Sequence, residues 1–256
     1  MKSIYVAALI TTVISLLIYG AVIFATVYFS GSPINKLWLF MAFLIVLPMQ
    51  PLAFYLVRLP VDKILVAKLG DSSWLYQFIS LFYAPLTEEP AKLVPLILPF
   101  ILRDIKAETF ARYALLIGLG FGIGEMWFIA NRLAANPQIN ALPFYHFLGG
   151  FGLERFMVCL FHSAFVSFSL WRLRNKFWLG FLMAVMAHFF CNFPIFLASK
   201  NLFGFGQLIW QQILIFWLQL YFIAAIILLT IFYAIYTKNR TAETTQVQTD
   251  ETAQAQ

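Results

Sequence analysis

An all-α membrane bundle of about seven spans is the fold this chain predicts, on three observations. Hydrophobic residues make up 62% of the 256 positions, charged residues only 11%, and mean hydropathy is +0.84. A soluble domain of that composition would lack the polar surface to cover itself. Long apolar runs recur along the chain with the cations scattered between them, so the net charge of +6 reads through loops and carries no nucleic-acid signal.

Crossing a ~30 Å hydrocarbon core as a helix takes about 20 residues. Apolar runs of that kind lie at 5–29, 37–57, 74–102, 112–133, 152–171, 177–199 and 207–236. The first is longer than the h-region of a secretory signal and no A-x-A site follows it, so it reads as a retained helix. The third holds Pro85, Pro90, Pro95 and Pro99 and predicts a broken or kinked element. In the fourth, Gly118, Gly120, Gly122 and Gly124 form two i, i+4 small pairs, the pattern that lets helices approach backbone to backbone. Residues 1–236 thus predict one transmembrane domain. From 237 to 256 Thr, Gln, Glu and Ala dominate and predict a disordered polar tail.

Loop charges leave the topology open. With seven crossings, Lys2, Arg58, Lys63, Lys68, Arg132, Arg155 and Lys200 fall on one side and nine cations on the other. If 74–102 is a re-entrant loop, the division becomes twelve against four, with both termini inside. Re-entrant backbone is tolerated where protein or water satisfies it. The length of the segment favours a kinked full crossing.

Polar groups within these runs are the functional signal, since each charge at membrane depth costs about 2.5–3.5 kcal/mol on insertion scales. Glu88 and Glu89 adjoin each other, with Lys92 as the only other charge between Trp74 and Leu102. Glu125 follows the glycine series, His162 lies in the fifth run, and His188 and Asn192 share a helix face in the sixth at i, i+4 spacing. Each alone is explained by interhelical hydrogen bonding, yet four spans place titratable groups at similar depth. Three carboxylates facing Lys92 alone leave two negative charges, which predicts shared protons or a divalent cation. Cys159 and Cys191 lie three residues from His162 and His188, which makes a Cys2His2 metal site conceivable, although buried cysteines are more often small core residues.

The ordered series Glu88-Glu89-Pro-Ala-Lys92, Phe121-Gly-Ile-Gly-Glu125, His162 and His188-Phe-Phe-Cys-Asn192 resembles the EExxK, FxxxE, H and HxxxD/N motifs of the PrsW-type intramembrane proteases, within the CAAX prenyl protease and bacteriocin-processing superfamily. The likeness covers about 85–195 on four successive spans. Asn192 stands where that branch commonly has Asp, Met126 where it commonly has Asn, and no glycine follows shortly after His162. The resemblance implies a four-helix catalytic core within 74–199 and hydrolysis of a peptide bond in a membrane-associated protein or peptide. It also implies residence in a prokaryotic plasma membrane.

On that reading Glu88 or Glu89 is the general base on a water molecule, and Lys92 pairs the other carboxylate. Glu125, His162 and His188 orient the water or bind a divalent metal such as zinc, and Asn192 with His188 stabilises the tetrahedral oxyanion. Two His and one Glu form an accepted catalytic zinc set, and a metal-free mechanism uses the same side chains. Two other classes compete: an ion- or proton-coupled transporter, against which no inverted repeat answers the segment 85–99, and a non-catalytic partner-binding or immunity protein.

Overall fold

A computed structural model of the chain describes residues 2–30 and 34–254, with the side chains of 27–30, 202 and 235–254 outside the description. Among the described residues every regular element is helical. The helices of six residues or more are α1 (Ser3–Ser30), α2 (Lys36–Val46), α3 (Met49–Leu69), α4 (Trp74–Lys92), α5 (Pro99–Asp104), α6 (Phe110–Leu133), α7 (Tyr145–Trp171), α8 (Phe177–Ser199) and α9 (Gln207–Gln254). Local chemistry sets several of their ends. Asn35 caps α2 by accepting from Leu37 N and Trp38 N. Pro48, which has no N–H to donate, stands where α2 gives way to α3 at a bend of 41°. Gly70, at φ +81°, takes the left-handed turn that ends α3.

Five stretches are each long and apolar enough to cross a membrane as one helix: Ser3–Thr26, Phe110–Leu133, Tyr145–Trp171, Phe177–Ser199 and Gln207–Ala234. The bent pair α2–α3 makes a sixth. The expected third span is not one helix. It passes through Pro85 and Pro90, stops at Lys92, makes a 3₁₀ turn over Val94–Ile97 and restarts as α5, with Pro95 and Pro99 in first-turn positions where a missing N–H costs nothing.

This broken segment nevertheless runs the length of the bundle. Lys200, just beyond the end of α8, donates to Ser72 O at 3.4 Å. Arg174, just before the start of α8, donates to Leu102 O at 3.4 Å and Ile105 O at 3.3 Å. The ends of the segment therefore lie at opposite ends of α8, along which Phe78 meets Phe196 and Phe82 meets Phe189. The segment is kinked and runs alongside α8 over its length. In α9 the backbone helix continues to Gln254 through the stretch expected to be a disordered tail. Extending an existing helix adds one hydrogen bond per residue and needs no tertiary contact. The tail side chains, and all of residues 255 and 256, lie outside the described residues.

Helix α6 is the axis of the bundle, and its glycines make it so. Gly118 and Gly122 face α7, where a Cβ on Gly118 would fall within the backbone of Ser163 and one on Gly122 would lie 2.7 Å from Cys159 Sγ. Gly120 and Gly124 face the opposite side, where added Cβ atoms would meet Phe43 O at 2.8 Å and Leu47 O inside contact distance. Each i, i+4 pair thus serves a different neighbour, and α2 and α7 both reach the α6 backbone. Outside, large apolar side chains such as Leu17, Phe24, Phe216 and Leu208 are exposed, as lipid-facing positions should be.

We expect Gly118→Ala or Gly124→Ala to destabilise the protein by about 1–3 kcal/mol or more, the usual cost of overpacking. Thermal unfolding in detergent would show the loss, and Gly149→Ala, whose Cβ meets nothing within 4 Å, should leave the midpoint unchanged.

A candidate carboxylate and histidine site

Four helices bring the polar residues together. Residues Glu88, Glu89 and Lys92 occupy the last turns of α4, Glu125 follows the glycines of α6, His162 lies in the middle of α7, and His188 and Asn192 lie on α8. Because α6 is drawn onto α7 at Gly118 and Gly122, Glu125 one turn later is held against His162, with its Oε2 2.9 Å from Nε2. The ring centres of His162 and His188 are 5.7 Å apart.

The two adjacent glutamates have different surroundings. Glu89 is 1% exposed and accepts from Lys92 Nζ at 2.5 Å and from His188 Nδ1 at 2.6 Å through the same oxygen. Lys92 is fully buried, its ammonium 5.0 Å from the Phe121 ring centre and 5.4 Å from that of Phe165. These ring faces supply the negative side of their quadrupoles to a cation that has no water. Glu88 is bound instead by Arg58 Nη1 at 2.7 Å and Gln50 Nε2 at 3.3 Å, both on Oε1, while Oε2 lies 3.6 Å from His188 Nε2. Lys92 therefore pairs Glu89, and the choice that the sequence leaves open is resolved.

His188 is fixed from two sides. Its Nδ1 lies 2.6 Å from Glu89 Oε1, and its Nε2 lies 3.6 Å from Glu88 Oε2 on the other side. Its ring stacks on Phe165 at 5.1 Å and 18°. His162 is fixed by Glu125 and by the edge of Phe121 at 4.9 Å. Glu125 Oε2 is also 3.2 Å from Arg155 Nη1, whose second nitrogen holds Glu154 at 2.5 Å.

A cavity of about 430 Å³ opens between α4, α6, α7 and α8, lined by Glu88, Glu125, His162, His188 and Asn192 among others. Glu89 and Lys92 do not line it and stand behind His188. Toward the end of the bundle where Ser72 meets Lys200, its wall is polar, with Tyr76, Gln77, Ser80 and Ser199. Asn192 faces it with an amide that makes no hydrogen bond among the described residues.

The expected charge deficit does not arise. Arg58 and Arg155, counted among the loop cations from the sequence, are drawn into the bundle, so Glu88, Glu89 and Glu125 each meet a cation, Arg58, Lys92 and Arg155, the last shared with the partly exposed Glu154. The need for a shared proton or a metal to restore neutrality goes with it. The zinc set Glu125, His162 and His188 does not converge either: His162 turns Nε2 to Glu125, whereas His188 turns its nitrogens to Glu89 and Glu88. Among the described residues no three His, Cys, Asp or Glu are disposed to hold a metal ion. Cys159 fills the notch left by Gly122, and Cys191 lines the cavity, so no Cys2His2 set forms.

Three participants escaped the sequence reading: Gln50, Arg58 and Arg155. Arg155 lies inside the run 152–171, so the rule that flags intramembrane charges already applied to it. Arg58 follows directly on the run 37–57 and looks like a loop cation. Gln50 is uncharged and gives no signal. No protein-family model, curated protein or solved structure matches the chain.

Removing one partner of a buried ion pair leaves a stranded charge, at a cost of about 3–5 kcal/mol. We expect Lys92→Met to lower the unfolding temperature strongly, and Glu89→Gln added to it to restore much of the loss. Equal destabilisation in the single and double variants would show that the pair is not coupled.

Proposed function

We propose that this membrane-spanning bundle is an intramembrane endopeptidase that cleaves a membrane-associated protein or peptide with water activated by Glu88 and His188. The observation that carries this reading is the placement of Glu88 Oε2 and His188 Nε2 3.6 Å apart at the wall of an internal cavity, each group braced from behind. One water can bridge two acceptors at that separation, with a hydrogen directed to each.

The chemistry follows from the surroundings. Glu88 takes a proton from the water as its oxygen attacks the carbonyl carbon of the scissile bond. His188 Nε2 accepts the second hydrogen and orients the nucleophile, and the Glu89–Lys92 pair fixes the ring from the far side. Negative charge then develops on the carbonyl oxygen, and the unpaired amide of Asn192, one turn after His188, is available to donate to it. Collapse of the tetrahedral intermediate breaks the C–N bond, and Glu88 returns its proton to the leaving amine. The products are a carboxylic acid and an amine. The facing wall, His162 held by Glu125, which is itself paired with Arg155, closes the space in which the bond lies. The ordered motifs favour the same reaction, and with it a prokaryotic plasma membrane as the setting.

We expect the purified protein in liposomes to generate new termini in a pool of peptides derived from membrane-protein spans, read by mass spectrometry. Glu88→Gln should abolish them, and Asn192→Ala should slow their formation by about 10²–10³-fold, the loss typical of an oxyanion donor. New termini that persist at full rate in Glu88→Gln would sink the assignment.

A further inference from the structure

The carboxylate oxygens of Glu88 are treated differently. Oε1 accepts from both Arg58 and Gln50, while Oε2 is the atom that approaches His188. Both donors come from α3, outside the four helices that carry the ordered motifs. Gln50 lies in the first turn of α3, and Arg58 closes the π turn Phe54–Arg58, where Leu59 N bonds back to Phe54 O.

The π turn explains how two residues eight positions apart meet one oxygen. In a pure α-helix eight residues overshoot two turns by about 0.8 residue, which would rotate Arg58 away from the face of Gln50. A π turn takes up about one residue more than an α turn, so the excess is absorbed and the side chains stack on one face. Gln50 and Glu88 are both nearly fully buried, so neither donor competes with bulk water for Oε1.

We propose that Gln50 and Arg58 are positioning residues of the site: stacked by the π turn, they commit one oxygen of Glu88 and leave the other directed to His188 and the cavity. The inference rests on Glu88 being the base of the reaction above. It makes the bent second span part of the reaction. Arg58 lines the cavity and Gln50 does not, so an effect of Gln50 on turnover travels through Glu88.

Two measurements test this together. On the fastest-cleaved peptide of the pool, Gln50→Leu should lower kcat about tenfold, the worth of one hydrogen bond to a charged group, with KM unchanged. Arg58→Lys, which keeps the charge but not the fork, should lose less kcat than Arg58→Gln. Separately, the infrared difference between the wild type and Glu88→Gln isolates the Glu88 carboxylate stretch, and that band should shift in Gln50→Leu and Arg58→Lys at unaltered thermal stability. Wild-type kcat in Gln50→Leu, a raised KM in place of a lowered kcat, or an unmoved band overturns the proposal. A shifted band in a protein that cleaves nothing supports the clamp and rejects the protease reading alone.

Discussion

Three carboxylates enter an apolar bundle, and each meets a cation there: Glu88 with Arg58, Glu89 with Lys92, and Glu125 with Arg155, which also holds Glu154. In a medium that cannot solvate ions, a lone carboxylate would be driven out or neutralised, so the pairing is the condition on which the interior depends. It also dictates geometry. The Arg58–Glu88 pair ties α3 to α4 and the Arg155–Glu125 pair ties α7 to α6, while Glu89–Lys92 lies within α4 and reaches α8 through His188. The histidines then inherit their orientations, because each bonds to a carboxylate already anchored on its cation.

Close packing makes such pairing reachable. Arg155 and Glu125 can touch because α6 and α7 approach at Gly118 and Gly122, where a side chain would collide with backbone. On the other face, Gly120 and Gly124 admit α2 and its exit, which bring α3 to the site with Gln50 and Arg58. The glycine series therefore acts twice, once for each wall. Phe121 and Phe165 complete the arrangement by packing against His162 and His188 while lending their faces to the Lys92 ammonium.

The break between α4 and α5 belongs to the same economy of backbone. Proline density in 85–99 shows that the helix must fail, and the position of the failure, directly after Lys92, leaves the charged turn helical. That turn can then present Glu88 toward the cavity and Glu89 behind it, as successive residues on a helix point about 100° apart. The two glutamates acquire distinct surroundings from that rotation.

The all-helical membrane class, the kinked third segment and most of the polar residues that converge were determined by sequence, since each rests on local properties: composition, proline position, glycine spacing, and charge within apolar runs. His188 and Asn192 were legible as one face because four residues is close to one helical turn. The tertiary structure decided which charge meets which. Lys92 lies within reach of either glutamate along the helix, and only packing assigned it to Glu89 and left Glu88 to Arg58. Arg58 read as a loop cation because a linear count cannot see an arginine carried inward by a π turn, whereas Arg155 already lay within an apolar run and only packing showed that it meets Glu125. With them the apparent deficit of two positive charges vanished, and so did the charge argument for a metal: neutrality is a property of residues near in space, and sequence orders them only along the chain.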